Sequence, residues 1–149
     1  KQNELNQKEN ELDKTNNSIE KLRSGDRYIL HDPTYYEVKN FIRSDKTNTK
    51  TYDEDTFNCA HYTQEVNNNA EKEGIRCAHV TVNLSEGDDH ALIAFNTTDR
   101  GIVHFEPQSD DKVNLEVGKD YWADCVVPPP GYYYKRDPSW IIMDYTVYW

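Results

Sequence analysis

A cysteine at the opening of a helix, five histidines and a carboxylate at the end of a strand are the side chains here that could do chemistry together. Cys59 stands in "DTFNCAHYTQEV", residues 55–66, where Asp55 or Thr56 can cap and the pattern after Phe57 turns helical. A thiolate is the attacking species, and the partial positive charge of a helix N-terminus favours it. A nucleophilic cysteine also needs a base within reach and a group that orients that base. Position alone does not decide, because buried inert cysteines are the commoner kind.

The candidate bases are His31, His61, His79, His90 and His104. His90 is favoured, since it opens a strand directly after the acidic turn "EGDDH", where a side chain can face a cleft. His61 lies two residues from Cys59 on one helix, and residues so spaced do not face each other. His79 sits mid-strand beside Cys77, and His31 belongs to a loop. His104 and Glu106 share a strand face by the period of two. Pairing residues 90–97 with 102–106 through the "TTDRG" turn brings His90 and Glu106 to one end of the sheet. A carboxylate there can hold the imidazole tautomer, as the third member of a triad does. A zinc site among Cys59 and the histidines is the rival chemistry. It lacks CxxC or HxxxH spacing.

The series "FNCAHY", "EKEGIRCAHV", "DDHALIAF" and "GIVHFEPQ" resembles the transglutaminase-like superfamily over about residues 57–108. In that family a Gly-Gln-Cys-Trp-type segment carries the nucleophile, and Cys59 takes that place. Gly74-Ile75-Arg76 looks like its Gly-Ile-Pro-Ala-Arg-type strand entry. His90-Ala91 matches its His-Ala-Trp-type strand, and Phe105-Glu106-Pro107 its Phe-Asp-Pro-type segment, with Glu for Asp. The resemblance implies a papain-like cysteine fold, a Cys59, His90, Glu106 triad and no cofactor. It also implies an oxyanion site from the Cys59 backbone N–H and the Asn58 amide. Asn58 replaces the Gln of crosslinking members and Ala60 replaces their Trp. The implied reaction is thiol acyl transfer on a peptide or protein amide, with hydrolysis favoured over crosslinking. The alternative is a catalytically silent peptide-binding domain of a larger surface protein.

These residues need a scaffold. "KQNELNQKENELDKTNNSIEKL" predicts a helix with Leu5, Leu12 and Ile19 seven apart and Leu22 beyond. It is either a solvated linker helix or the end of a coiled-coil stalk, broken at Ser24-Gly25-Asp26. Its stripe offers an edge for self-association through residues 1–22. The expected division is residues 1–24 for this segment and residues 25–149 for the transglutaminase-like domain that the resemblance implies. "HDPTYYEVKNFIRSDKT" predicts a second helix, with Asp32 as N-cap and Pro33 first, or with Thr34 and Glu37 as a capping box. The third helix runs from about Asn58 to Glu73 and stops at Gly74. After Gly74 the period changes to two. Strands are expected at "IRCAHVTVNL", "HALIAFNTT", "IVHFEP", "VNLEV", "YWADCVV" and "WIIMDYTVYW". Helices followed by turn-linked strands give an α+β class with a mainly antiparallel sheet.

The bulk composition narrows the partners. The chain has 149 residues, enough for one self-sufficient core. Residues 1–27 carry six acidic and six basic side chains, so the whole net charge of −10 belongs to the rest. Such a domain repels phosphate backbones, which disfavours nucleic acid. No apolar run is long enough for a membrane span. No signal peptide is visible, and a start at Lys1 predicts an upstream segment. Of the three cysteines, Cys77 and Cys125 could bridge and leave Cys59 free, while a reduced compartment explains three free thiols equally well. The "GYYYK" and "YTVYW" clusters are expected to pack in the core or on the sheet, or to line a groove.

Overall fold

The computed structural model describes residue 3, residues 5–12 and residues 29–149. Residues 5–12 are helical, and Leu5 and Leu12 are both exposed. Ile19, Leu22, the break at Ser24-Gly25-Asp26 and the domain boundary lie outside the described residues.

Two helices and five strands carry the domain. Helix α1 spans Tyr35–Ser44 and α2 spans Cys59–Lys72. The strands are β1 (Ala78–Leu84), β2 (His90–Thr97), β3 (Gly101–Glu106), β4 (Asp111–Val113) and β5 (Ile142–Tyr148). They form one antiparallel sheet in the order β4-β3-β2-β1-β5. The class is therefore α+β, with helices leading and an antiparallel sheet following.

The cap of α1 is Thr34, whose hydroxyl accepts the Glu37 N–H at 3.1 Å. Asp32, the alternative expected from the Asp-Pro pair, instead pairs with Arg76 through two hydrogen bonds of 2.7 and 3.1 Å. A guanidinium offers two parallel donors, so it outbids the helix end for this carboxylate. The α2 cap is Asn58, neither Asp55 nor Thr56. Their backbone N–H groups donate to Asp53 Oδ1 instead, in a tight turn closed between Asp53 and Phe57. Gly74 follows α2 at φ +80°, a left-handed conformation that suits glycine at this position.

The sheet buries both faces. On one side α1 and α2 pack Val38, Phe41, Val66 and Ala70 against Ile93, Phe95 and Phe105. On the other, Val80, Val82, Leu92 and Ala94 meet Tyr121, Val126 and Ile142. Burying each large apolar side chain contributes about 1.5–3 kcal/mol. This two-sided burial explains why β2 shows a continuous apolar run from Ala91 to Phe95.

Three expectations change. "YWADCVV" is not a strand: Tyr121–Cys125 forms a π-helical turn, because the Asp120 side chain accepts the Ala123 N–H at 2.8 Å and curls the chain. Alternating apolar residues concealed that cap. The fourth strand lies at Asp111–Val113, earlier than "VNLEV", with only Val113 in common. Cys77 and Cys125 are both free and pack in the two different cores, on opposite faces of the sheet, so they cannot bridge. The aromatic clusters divide: Tyr132 and Tyr133 of "GYYYK" are exposed while Tyr134 packs on the second core, and in "YTVYW" Tyr145 packs against His104 and Trp149 stacks with Arg76.

Candidate active site

Cys59 is the first residue of α2. The Asn58 side-chain oxygen accepts the Ala60 N–H at 3.1 Å, which contributes about 1 kcal/mol to the helix start. His61 completes the cap, its Nδ1 lying 3.2 Å from the Asn58 backbone nitrogen. These bonds leave the Cys59 N–H without an intrahelical acceptor, as the first helical positions always do. The Asn58 amide, expected as an oxyanion donor, is held by the cap: its Nδ2 donates to the Glu54 carbonyl at 3.1 Å.

His90 opens β2 and is buried. Glu106 closes β3 and is completely buried. The β2–β3 register pairs Ile93 with Phe105 and Ala94 with His104. Period-two alternation then sets His90 and Glu106 on the same face. His90 Nε2 lies 2.7 Å from Glu106 Oε2. Its other nitrogen, Nδ1, is left for the Cys59 thiol, which shares the cleft with His90.

A buried carboxylate is costly unless its oxygens are satisfied. Here they are. Oε2 also accepts the Tyr121 hydroxyl at 2.5 Å, and Oε1 accepts the Gln108 N–H at 3.2 Å. Burial and the Glu106 charge push the Tyr121 phenol well above its ordinary range, so it stays a donor.

The charges cooperate. Burial alone would raise the Cys59 thiol, but the hydrogen bond and charge of His90, with the Ala91 N–H, bring it below its ordinary range. Burial alone would lower His90, but Glu106 and Cys59 push it up to about 9. Both shifts run towards a thiolate–imidazolium pair. The other two thiols differ: burial raises both Cys77 and Cys125.

Aromatic rings shield the imidazole. The centroids of Tyr121, Trp122 and Trp140 stand 4.7, 5.6 and 5.9 Å from that of His90. The turn holding Tyr121 and Trp122 is fixed by buried Asp120, which also accepts the Asp137 N–H at 2.8 Å. Nearby Asp124 takes both Arg136 nitrogens at 2.6 Å. A cleft of about 860 Å³ opens over Cys59 and His90.

Thus Cys59, His90 and Glu106, singled out by sequence, are brought together. His61 is spent on the cap. His31 is exposed and bonds Glu37 at 2.9 Å. His79 is half-buried within β1, and burial holds His104 down to about 4. Tyr121, Trp122, Trp140 and Gln108 were not singled out. The signal for the first pair was Asp120 three residues before an N–H it could cap. Gln108 was marked only by following Pro107 in the turn after the acid.

Neither a protein-family model nor a curated protein matches this chain. A solved structure described as "PSL1a-E64 complex" is similar over 57% of this chain and 34% of that chain, with 16% identity and a TM-score of 0.48. The match thus spans about a third of that chain, and at this score the likeness carries no argument.

Proposed function

We propose that this chain catalyses cysteine-dependent acyl transfer on peptide or protein amides, in the manner of the transglutaminase-like superfamily and its papain-like fold, with hydrolysis as the main outcome. One observation carries the reading: a half-buried thiol at a helix start shares a cleft with the imidazole whose Nε2 is 2.7 Å from a buried carboxylate.

The chemistry runs through these atoms. The Cys59 proton resides on His90 Nδ1. The thiolate attacks the amide carbonyl, and the Cys59 backbone N–H donates to the oxygen as it gains charge. His90 then gives its proton to the departing amine, leaving a thioester on Cys59. Water, deprotonated by His90, attacks the thioester and releases the acid and the thiol. Glu106 keeps the ring oriented and stabilises its charge throughout. No step needs a metal or cofactor. The preference for water over an amine acceptor is supported by the exposed Ala60 at the position where crosslinking members carry a tryptophan.

Iodoacetamide at neutral pH tests the reading. Cys59 should alkylate faster than a free model thiol, and His90→Ala should remove that advantage. Hydrolysis of an unfolded protein such as casein should be lost in Cys59→Ala. A Cys59 rate no greater than the model thiol's, and unchanged in His90→Ala, would leave the catalytically silent peptide-binding domain in its place.

A further inference from the structure

The cleft over Cys59 is walled by carboxylates from two separate loops. Glu54 and Asp55 come from the turn before α2, and Glu86, Asp88 and Asp89 from the β1–β2 turn. No lysine or arginine lines it. Among the described residues none of the five forms an ion pair; Lys50, Arg76 and Arg136 are each spent on other acids. The two loops converge, since residues of both line this one cleft together with Tyr52.

The backbone of both walls is tied down by hydrogen bonds. Gly87, at φ +84°, turns the β1–β2 loop. The Ser85 and Glu86 N–H groups donate to the Ile141 and Ser139 carbonyls at 2.9 and 3.3 Å. On the other side, the Asp53 and Phe57 backbones exchange bonds of 2.8 and 2.9 Å. Aromatic faces complete the lining: Tyr52 on one side, Trp122 and Trp140 on the other. Both indoles continue into a neighbouring cavity of about 570 Å³ that includes Tyr134. Carboxylates and ring faces gathered in one cleft suit an ammonium or guanidinium group, which gains from both.

We infer that the groove selects peptide substrates carrying a lysine or arginine side chain, seated between the Glu54–Asp55 and Glu86–Asp89 walls, with the neighbouring substrate residue lying along Trp122 and Trp140. This rests on acyl transfer at Cys59.

Two thiol reagents of equal size test it, a methanethiosulfonate with an ammonium head and one with a sulfonate head. Each rate at Cys59 is divided by the rate with a free model thiol. The ammonium reagent should be favoured by about tenfold or more at low salt, with the preference shrinking in high salt. The triple variant Glu86→Gln, Asp88→Asn, Asp89→Asn should lose most of it. These side chains are exposed, and an unchanged melting temperature would verify the fold. A short lysyl peptide should protect Cys59, and its norleucine counterpart should not. A charge preference near one, a triple variant that keeps the preference, or protection by spermidine but not by the lysyl peptide would each overturn the assignment. Neutral iodoacetamide separates the two ideas: alkylation of Cys59 faster than the model thiol, without a charge preference, sinks the specificity alone.

Discussion

Glu106 Oε2 is shared by two donors from different elements, His90 Nε2 at 2.7 Å and the Tyr121 hydroxyl at 2.5 Å. The carboxylate therefore cannot rotate without breaking both bonds. Replacing it by the isosteric amide removes the charge that holds the imidazolium. Glu106→Gln should slow alkylation of Cys59 at neutral pH by roughly 10- to 100-fold, which stopped-flow labelling would measure. An unchanged rate would remove Glu106 from the site.

Tyr121→Phe deletes one donor and leaves a buried oxygen short of a partner. It should cost about 1–3 kcal/mol in denaturant unfolding. Because the second donor also fixes the carboxylate, the labelling profile of Cys59 against pH should move as well. A loss of stability with an unmoved profile would make Tyr121 a packing residue only.

The pH dependence of the pair follows from its shifts. Cys59 lies below the ordinary thiol range, and His90 is raised to about 9. Alkylation should therefore lose its rate on the acid side at a lower pH than a free model thiol does, and a midpoint that coincides with the free thiol's would contradict the shift. The proton that His90 gives the leaving amine disappears above about 9, so amide hydrolysis should fall on that side while alkylation does not. Parallel rate profiles distinguish the two. Coincident alkaline limbs would contradict the assignment of His90 as the acid.

Asp110 offers a test of stability. It adopts φ 63°, its Oδ1 is buried without a hydrogen bond, and burial together with Asp45 and Asp111 raises it to about 7. The folded value exceeds the unfolded one near 3.8, so the fold binds the extra proton between them. Stability from this group is present below about 4 and lost as pH rises through 7. Asp110→Asn, neutral and tolerant of a left-handed backbone, should gain on the order of 1–2 kcal/mol at pH 8 and nothing near pH 4. Thermal unfolding at the two pH values measures it.

His104 should act in the opposite sense. Burial holds it down to about 4, and its Nε2 is buried without a partner. The unfolded chain, titrating near 6.5, binds the proton first. The stability that His104 contributes is present above about 6.5 and lost as pH falls through 4. His104→Gln should flatten that acid limb of the unfolding curve.

Spacing and period in the sequence were enough to mark the helix start at Cys59, the strand starting at His90 and the acid one strand later, because those signals are local. The same locality explains the α+β class: the period changes at Gly74, and each later turn is written in its own residues. Other features were decided between distant segments. Asp32 was taken from its helix by Arg76, forty-four residues away. Tyr121 became a partner of Glu106 only when a buried Asp120 curled the chain that alternation had marked as a strand. The acidic wall also needed folding, since two loops that look like ordinary solvated turns became one surface when β1 and β2 brought residues 86–89 beside residues 54–55. A sequence records which groups can ionise. Burial and neighbouring charge set the state they adopt, and these arise only when the sheet has closed around them.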